Sequence, residues 1–183
     1  MKKLIFAGVG VAVLTTLAGV SVARAEDKKP AAAAPAPAPT MGSVGATMTS
    51  QVMLLPTDIK WVDGPPSLPA GAKMAVVEGD PKAPNALFTM RLKLPANYKV
   101  MPHSHPADEH VTVISGAFSM GMGDKLDPAQ MKEFPAGSFL VMPVGHHHFG
   151  ATKVETVVQV HGVGPWAITY VNPTDDPRNQ AKK

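Results

Sequence analysis

The sequence of 183 residues contains no cysteine, so no disulfide can staple the fold and no thiolate can hold a metal ion. Stability must therefore come from packing or from a metal bound by other ligands. Long segments in which apolar residues recur with the 3.6-residue period of an amphipathic helix are also missing. The one helical turn that the pattern predicts is short and lies at 127–131.

A strong excess of charge of one sign is absent as well. The formal net charge is +3, and three of the basic residues, Lys2, Lys3 and Arg24, lie in an N-terminal segment with the pattern of a secretory signal peptide. Without that segment, fourteen basic residues face fourteen acidic ones. The remaining chain is near neutral, which gives no electrostatic reason to expect binding to nucleic acid or to a membrane surface.

The predicted signal peptide covers residues 1–25. Two lysines precede an apolar run at 4–22, and a small-x-small cleavage site follows at 23–25. An uncleaved membrane anchor is the alternative, but glycines and threonines make the run only weakly apolar for a span of about 20 residues. We therefore expect a bacterial protein that is periplasmic or secreted, with no stable membrane span after cleavage.

The rest of the chain divides by composition. Residues 26–50 are rich in alanine and proline, which predicts a disordered linker. Residues 51–178 are long enough for one domain with its own core, and 179–183 are expected to form a flexible tail. Within the domain, short apolar runs alternate with turns that contain glycine or proline, which predicts an all-β sandwich or barrel. The predicted strands are 73–78, 86–94, 109–115, 117–122, 138–142, 156–160 and 166–171.

Strand parity selects candidate metal ligands. Side chains alternate between the two faces of a strand, so His103 and His105 share a face, and Glu109, four positions further on, shares it too. His110 points the other way, which favours Glu109 as the third ligand. In a downstream histidine cluster, residues 146 and 148 have equal parity, and local reasoning does not separate them as the fourth ligand. Imidazole and carboxylate donors together suit a divalent first-row metal.

The sequence around these ligands resembles the first motif of the cupin family, Gly-x5-His-x-His-x3–4-Glu-x6-Gly. The motif positions are held by His103, His105, Glu109 and Gly116, and Asn97 stands where the leading glycine is expected. The spacing between the four matched residues agrees with the family pattern.

A downstream stretch resembles the second cupin motif, Gly-x5-Pro-x-Gly-x2-His-x3-Asn. Gly137, Pro143, Gly145 and His148 match it, and Thr152 replaces the asparagine. Two motifs in the correct order and with the correct spacing make the resemblance specific. By analogy with the family, His148 is the fourth ligand.

The resemblance implies a fold, a cofactor and a partner. The fold is the cupin double-stranded β-helix, an all-β jelly-roll barrel, in which His103, His105, Glu109 and His148 would hold one divalent transition metal inside the barrel mouth. Manganese or iron is favoured, and zinc, copper, nickel and cobalt are further options. The expected partner is a small-molecule ligand or substrate, and a homodimer is a further expectation.

Two main functions are compatible with this family. The first is a metal-dependent enzyme that acts on a small organic molecule by oxygenation, isomerisation or lyase chemistry, with Glu109 also able to detach and act as a base. The second is a non-catalytic module that senses or binds a small ligand or a metal. A jelly roll that uses its metal only for stability is a third, simpler option.

Three further residues are candidates for the border or the wall of the pocket. His147 is either a group near the entrance or part of a polar rim. Gln159 and His161 share one face of a late strand. They either orient a ligand from inside the barrel or lie on an exposed outer face.

Overall fold

The computed structural model describes residues 51–180. The predicted signal peptide, 1–25, and the predicted linker, 26–50, lie outside the described residues, as do positions 181–183 of the predicted tail. The first two tail positions, 179 and 180, belong to a short helix. Within the described part of the chain, no helix is long and apolar enough to cross a membrane.

Between residues 51 and 180 the chain forms eleven strands, three 3₁₀ turns and a single-turn helix. The strands are β1 (Val62–Asp63), β2 (Lys73–Glu78), β3 (Leu87–Leu94), β4 (Lys99–Ser104), β5 (Glu109–Ser115), β6 (Ala117–Met122), β7 (Lys132–Pro135), β8 (Phe139–Met142), β9 (His148–Thr152), β10 (Thr156–Val163) and β11 (Thr169–Tyr170). The 3₁₀ turns are Pro56–Asp58, Pro128–Gln130 and Pro173–Asp175, and the helix α1 is Pro177–Gln180. The second of these turns is the one predicted at 127–131.

The strands pair into two antiparallel sheets. One has six strands in the order β1-β2-β3-β10-β5-β8, and the other has five in the order β11-β4-β9-β6-β7. Most consecutive strands lie in opposite sheets, which is the connectivity of a jelly roll. The structure confirms the predicted all-β jelly-roll fold.

Alternation along the strands places the core between the two sheets. On β3, Phe88, Met90 and Leu94 are buried on the inner face. Arg91 lies on the outer face, where its Nε donates a 3.1 Å hydrogen bond to the side-chain oxygen of Gln159 on β10. The same strand therefore supplies an apolar wall inside the barrel and polar contacts outside it.

The sequence predicted most strands but not all of them. The strand expected at 166–171 is wrong in its extent, and only Thr169–Tyr170 pairs with β4. The backbone N–H of Trp166 instead donates a 2.7 Å hydrogen bond to the carbonyl of Pro81 in a loop. Strands β1, β4, β7 and β9 were not among the seven predicted strands. The predicted strands that are confirmed with their bounds are 73–78, 109–115 and 117–122.

Both departures from the cupin motifs have a local structural reason. Asn97 has a φ of 60°, a left-handed conformation that asparagine tolerates better than most residues other than glycine. Thr152 is buried, and its hydroxyl donates a 2.6 Å hydrogen bond to the carbonyl of Pro95. The same hydroxyl accepts a 3.3 Å hydrogen bond from the backbone N–H of Tyr98. Thr152 therefore ties the turn before β4 to the end of β9.

Candidate metal centre

Four buried side chains from three places in the fold meet between the sheets. His103 lies near the end of β4, His105 directly after that strand, Glu109 at the start of β5 and His148 at the start of β9. The ligating nitrogens of the three histidines lie within 4.8 Å of one another. His148 is only 2% exposed.

The carboxylate of Glu109 lies against two of these histidines. Its Oε1 is 3.6 Å from His105 Nε2, and its Oε2 is 3.3 Å from His148 Nε2. The structure therefore brings together the four side chains that the sequence predicted as ligands.

Each imidazole is oriented by a backbone carbonyl. The Nδ1 atom of His103 lies 2.7 Å from the carbonyl oxygen of Met101, and that of His105 lies 2.7 Å from the carbonyl oxygen of Ala167. The Nδ1 atom of His148 lies 2.9 Å from the carbonyl oxygen of residue 146. Because a carbonyl can only accept, each Nδ1 carries the proton, and each Nε2 of a neutral ring presents a lone pair to the centre of the cluster.

Two of these Nε2 atoms have no hydrogen-bond partner. Among the described residues, the Nε2 atoms of His105 and His148 are buried without one. Each faces an oxygen of Glu109, so the lone pair of a buried nitrogen points at the lone pairs of a buried carboxylate. This arrangement is unfavourable unless a cation lies between the two groups. Three imidazoles and a carboxylate are a donor set for divalent first-row metals. The cluster therefore fits a metal ion, and the three histidines can hold one.

Burial controls protonation in the cluster. Burial, reinforced by charge on His148 and His105, lowers the pKa of His103 to about 3. Burial is also the main cause that lowers the pKa of His105. Burial alone would raise the pKa of Glu109. The close approach of His148 Nε2 and the positive charge that the histidines can carry outweigh this effect of burial, so the pKa of Glu109 lies below its ordinary value. Neutral imidazoles beside an ionised carboxylate are the forms that bind metals.

The reason for choosing Glu109 over His110 was partly wrong. The prediction assumed one continuous strand, whereas β4 ends at Ser104 and β5 begins at Glu109 in the opposite sheet. Within β5 the alternation does hold, because Glu109 and Val111 are buried while His110 is only half-buried. His110 stacks on His161 with ring centroids 4.8 Å apart, on the outer face of the sheet.

The structure also decides between His146 and His148, which strand parity left equal as the fourth ligand. His148 begins β9 and lies in the cluster, whereas the side chain of His146 is exposed. His147 is exposed as well, and its Nδ1 lies 2.6 Å from the carboxylate of Asp124. It belongs to a polar rim and does not line the cavity.

Gln159 and His161 lie outside the barrel. The inner face of β10 carries the buried Val158 and Val160, which line the cavity. Gln159 and His161 point to the opposite face, so the idea that they orient a ligand from inside the barrel is wrong. The physical reason is the two-residue period of the strand, which gives the inner face to the valines.

Sequence reasoning missed two residues that contact the cluster or its loops. Trp166 stacks on His105 with ring centroids 4.3 Å apart and an interplanar angle of 15°. The carboxylate of Asp108 accepts a 2.7 Å hydrogen bond from the backbone N–H of Val144. Asp108 is adjacent to Glu109 in the motif, but its partner is 36 positions away, so local patterns could not identify the contact.

A cavity of about 480 Å³ adjoins the cluster between the two sheets. His103, His105, Glu109 and His148 all line it, together with Trp166 and side chains from both sheets. Its size falls in the range of small-molecule binding sites. A metal ion held by the cluster would therefore be reachable by a small ligand.

The comparisons with known proteins agree with this architecture. A family model described as the ChrR cupin-like domain matches residues 49–167. The sequence finds no match among curated proteins.

Several solved structures are similar to this chain at low sequence identity. The polyketide cyclase RemF from Streptomyces resistomycificus is similar with a TM-score of 0.56 and 18% identity, over 73% of this chain and 94% of that one. An RmlC-like cupin from Shewanella frigidimarina gives a TM-score of 0.48 and 13% identity, over 62% and 91% of the two chains. The complex of Rhodobacter sphaeroides SigE with the anti-sigma ChrR gives a TM-score of 0.43 and 18% identity, over 57% and 50%. At these identities the likeness concerns the fold alone.

Proposed function

We propose that this chain, which belongs to the family of ChrR cupin-like domains, is a metal-dependent enzyme acting on a small organic molecule. The reason is that its buried histidines open onto a cavity. His103, His105, Glu109 and His148 would hold one divalent transition metal, with manganese or iron favoured. The observation that carries the proposal is the pair of buried, unpartnered Nε2 atoms of His105 and His148, which face the carboxylate of Glu109. Export to the periplasm, predicted from the N-terminal sequence, is part of the same proposal.

The chemistry of the cluster favours reactions that begin at an oxygen-bearing carbon. A bound divalent metal would polarise a hydroxyl or carbonyl oxygen of the ligand. Glu109 lines the cavity, and its carboxylate oxygens can accept a proton from such a ligand. Most of the cavity wall is apolar, and surroundings of low polarity strengthen such electrostatic interactions. Isomerase, lyase and oxygenase reactions on such a ligand are all compatible with this arrangement.

A turnover experiment with defined metal content tests the proposal. The protein is loaded with manganese, iron or zinc and incubated with a panel of phenols and 1,3-diketones, while substrate loss and dioxygen uptake are followed. We expect turnover that depends on the metal. Glu109→Gln keeps an oxygen donor but cannot accept a proton, so turnover should fall by about 100-fold or more, whereas His146→Ala, on the exposed rim, should keep it. Absence of turnover with every metal across the panel would contradict an enzymatic role.

A non-catalytic sensing module is the second candidate. The observation in its favour is an exposed apolar patch on the outer face of the six-stranded sheet, formed by Phe139, Val141 and Ile114, which are 57%, 46% and 41% exposed. Neighbouring apolar side chains of this kind often mark a surface that contacts another protein. Metal binding at the cluster without turnover of any substrate would favour this candidate over the enzyme.

A further inference from the structure

The cavity beside the four candidate ligands has polar groups at one end and apolar walls elsewhere. Away from the four candidate ligands, the described ionisable side chains that line it are Asp80 and Lys82, and both are exposed to solvent. The remaining wall is almost entirely apolar. Its members from the inner faces of both sheets include Met74, Met90, Leu92, Phe118, Val158 and Val160.

These walls offer little to a polar ligand. The lining strands use their backbone groups in the sheet ladders, as in the eight consecutive pairs of β3 with β10. A hydroxyl group placed against Leu92 or Val160 would therefore lose its hydrogen bonds to water without regaining any. Each such loss costs on the order of tenfold in affinity. A ring with several hydroxyl groups, such as a sugar, would lose affinity at each of them.

One end of the cavity has the opposite character. The Nε2 atoms of His105 and His148 and the carboxylate of Glu109 converge there. An oxygen atom on a ligand can interact with this cluster and with any cation that it holds. The site therefore accommodates one polar end and an apolar body.

The cavity volume limits the size of that body. A volume of about 480 Å³, at about 30 Å³ for each water-sized group, corresponds to on the order of fifteen non-hydrogen atoms. The aromatic ring of Trp166 forms part of the wall beside His105. A ring system of moderate size fits these dimensions.

We propose that the cavity binds an apolar ring compound that carries one hydroxyl or carbonyl group, with that oxygen directed toward His105, His148 and Glu109, and that it rejects sugars and other polyols. This inference deepens the proposed function and rests on it, because the oxygen is expected to meet the bound metal. It names the class of ligand that the proposed reaction would use.

Calorimetric titration of the zinc-loaded protein with two probes of similar size tests the inference. One probe is 2-naphthol, an apolar bicyclic compound with one hydroxyl, and the other is D-galactose, a ring with several hydroxyls. We expect 2-naphthol to bind at least 100-fold more tightly than D-galactose. Equal binding of both, or no detectable binding of 2-naphthol at millimolar concentration, overturns the inference.

Cavity-filling variants show where the probe binds. Leu92→Trp places an indole on the cavity wall and should weaken 2-naphthol binding by at least tenfold, with metal stoichiometry unchanged. Ile114→Trp places the same indole on the outer face and should have no effect. If Leu92→Trp does not fold, Val76→Trp replaces it, since Val76 lines the cavity but is 46% exposed. Binding that neither wall variant weakens overturns the inference.

The outcomes separate this inference from the proposed function. Tight, wall-sensitive binding of 2-naphthol to a protein that binds no metal would support the ligand class and contradict the metal-dependent enzyme. Full metal loading with no preference for 2-naphthol over D-galactose would overturn the ligand class and leave the metal site intact.

Discussion

Asp108 and Val144 join the two loops that carry the metal-binding candidates. The carboxylate of Asp108 accepts a 2.7 Å hydrogen bond from the backbone N–H of Val144, and beside it the N–H of Gly145 donates a 3.0 Å hydrogen bond to the carbonyl of His105. One loop leads into Glu109, and the other leads into His148. The two hydrogen bonds therefore fix the separation of ligands that come from distant parts of the sequence.

Removal of this link should weaken metal binding without removing any ligand. Asp108→Ala removes one of the two hydrogen bonds between the loops and leaves the backbone bond from Gly145 to His105. The expected loss in affinity for zinc is about tenfold, the size of effect seen for other groups that position metal ligands. Asp108→Asn keeps an acceptor oxygen and should restore most of the affinity. The measurement is competitive titration against a zinc-binding dye.

Asp124→Ala is the matched control for Asp108→Ala. Asp124 is also an exposed carboxylate near the histidine-rich loop, but its partner is His147 on the rim, 2.6 Å away. Its removal should leave zinc affinity within about twofold of the parent, a change of less than about 0.5 kcal/mol. Equal losses in the two variants would mean that general charge near the loop, and not the link to Val144, governs binding.

The buried histidines predict an acid-sensitive metal-free protein. Burial lowers the pKa of His103 to about 3 in the folded state, against an ordinary value of 6.5. Between these values the unfolded chain takes up a proton that the folded protein does not, so stability is lost as the pH falls from about 6.5 toward 3. The loss from this residue alone is at most about 1.4 kcal/mol per pH unit. His105, whose pKa is also lowered, acts in the same direction.

Urea unfolding in the presence of a chelator, at several pH values between 7.5 and 4.5, measures this dependence. His103→Gln should reduce the slope of the free energy of unfolding against pH, because glutamine does not titrate. A parent protein whose stability does not vary over this range would show that the folded histidines are protonated as easily as the unfolded ones.

The sequence predicted the fold well where the pattern is local. The strand predicted at 86–94 is present as β3, and its alternating residues Phe88, Met90 and Leu94 are buried on one face. Parity across residues 103–109 failed, because the chain leaves one sheet after β4 and enters the other at Glu109. Strand periodicity cannot detect such a change of sheet, and the ligands converge through tertiary packing that the cupin resemblance anticipated.

Contacts between distant segments were beyond local reasoning. Trp166 begins the stretch 166–171 that was predicted as a strand, but it lies outside any strand, stacks on His105 and lines the cavity. The faces of Gln159 and His161 were left open, since alternation gives two faces without saying which one is inside. Only the placement of β10 between β3 and β5 determines that its valines face the core.

Thr152 predicts a measurable effect on stability. Its buried hydroxyl donates to the carbonyl of Pro95 at 2.6 Å and accepts from the N–H of Tyr98 at 3.3 Å. Thr152→Val keeps the shape but leaves both backbone groups without this partner, so the free energy of unfolding should fall by about 1–3 kcal/mol. Thr152→Ser keeps the hydroxyl and should lose less, which chemical denaturation can check. If Thr152→Val proves as stable as the parent protein, the two hydrogen bonds of the hydroxyl contribute nothing to stability.

The two histidines that local parity left equal give the sharpest test of the metal site. His148 is buried in the cluster and faces Glu109 at 3.3 Å, whereas the side chain of His146, two positions earlier, is exposed. His148→Ala should therefore abolish stoichiometric metal binding, and His146→Ala should leave about one metal ion per chain. Metal analysis after dialysis against a weak chelator measures both. The comparison is matched, because each variant loses one imidazole from the run of three histidines at 146–148. Only the imidazole of His148 belongs to the buried site. Retention of metal by His148→Ala, or equal loss in both variants, would show that the ion is held elsewhere in the chain.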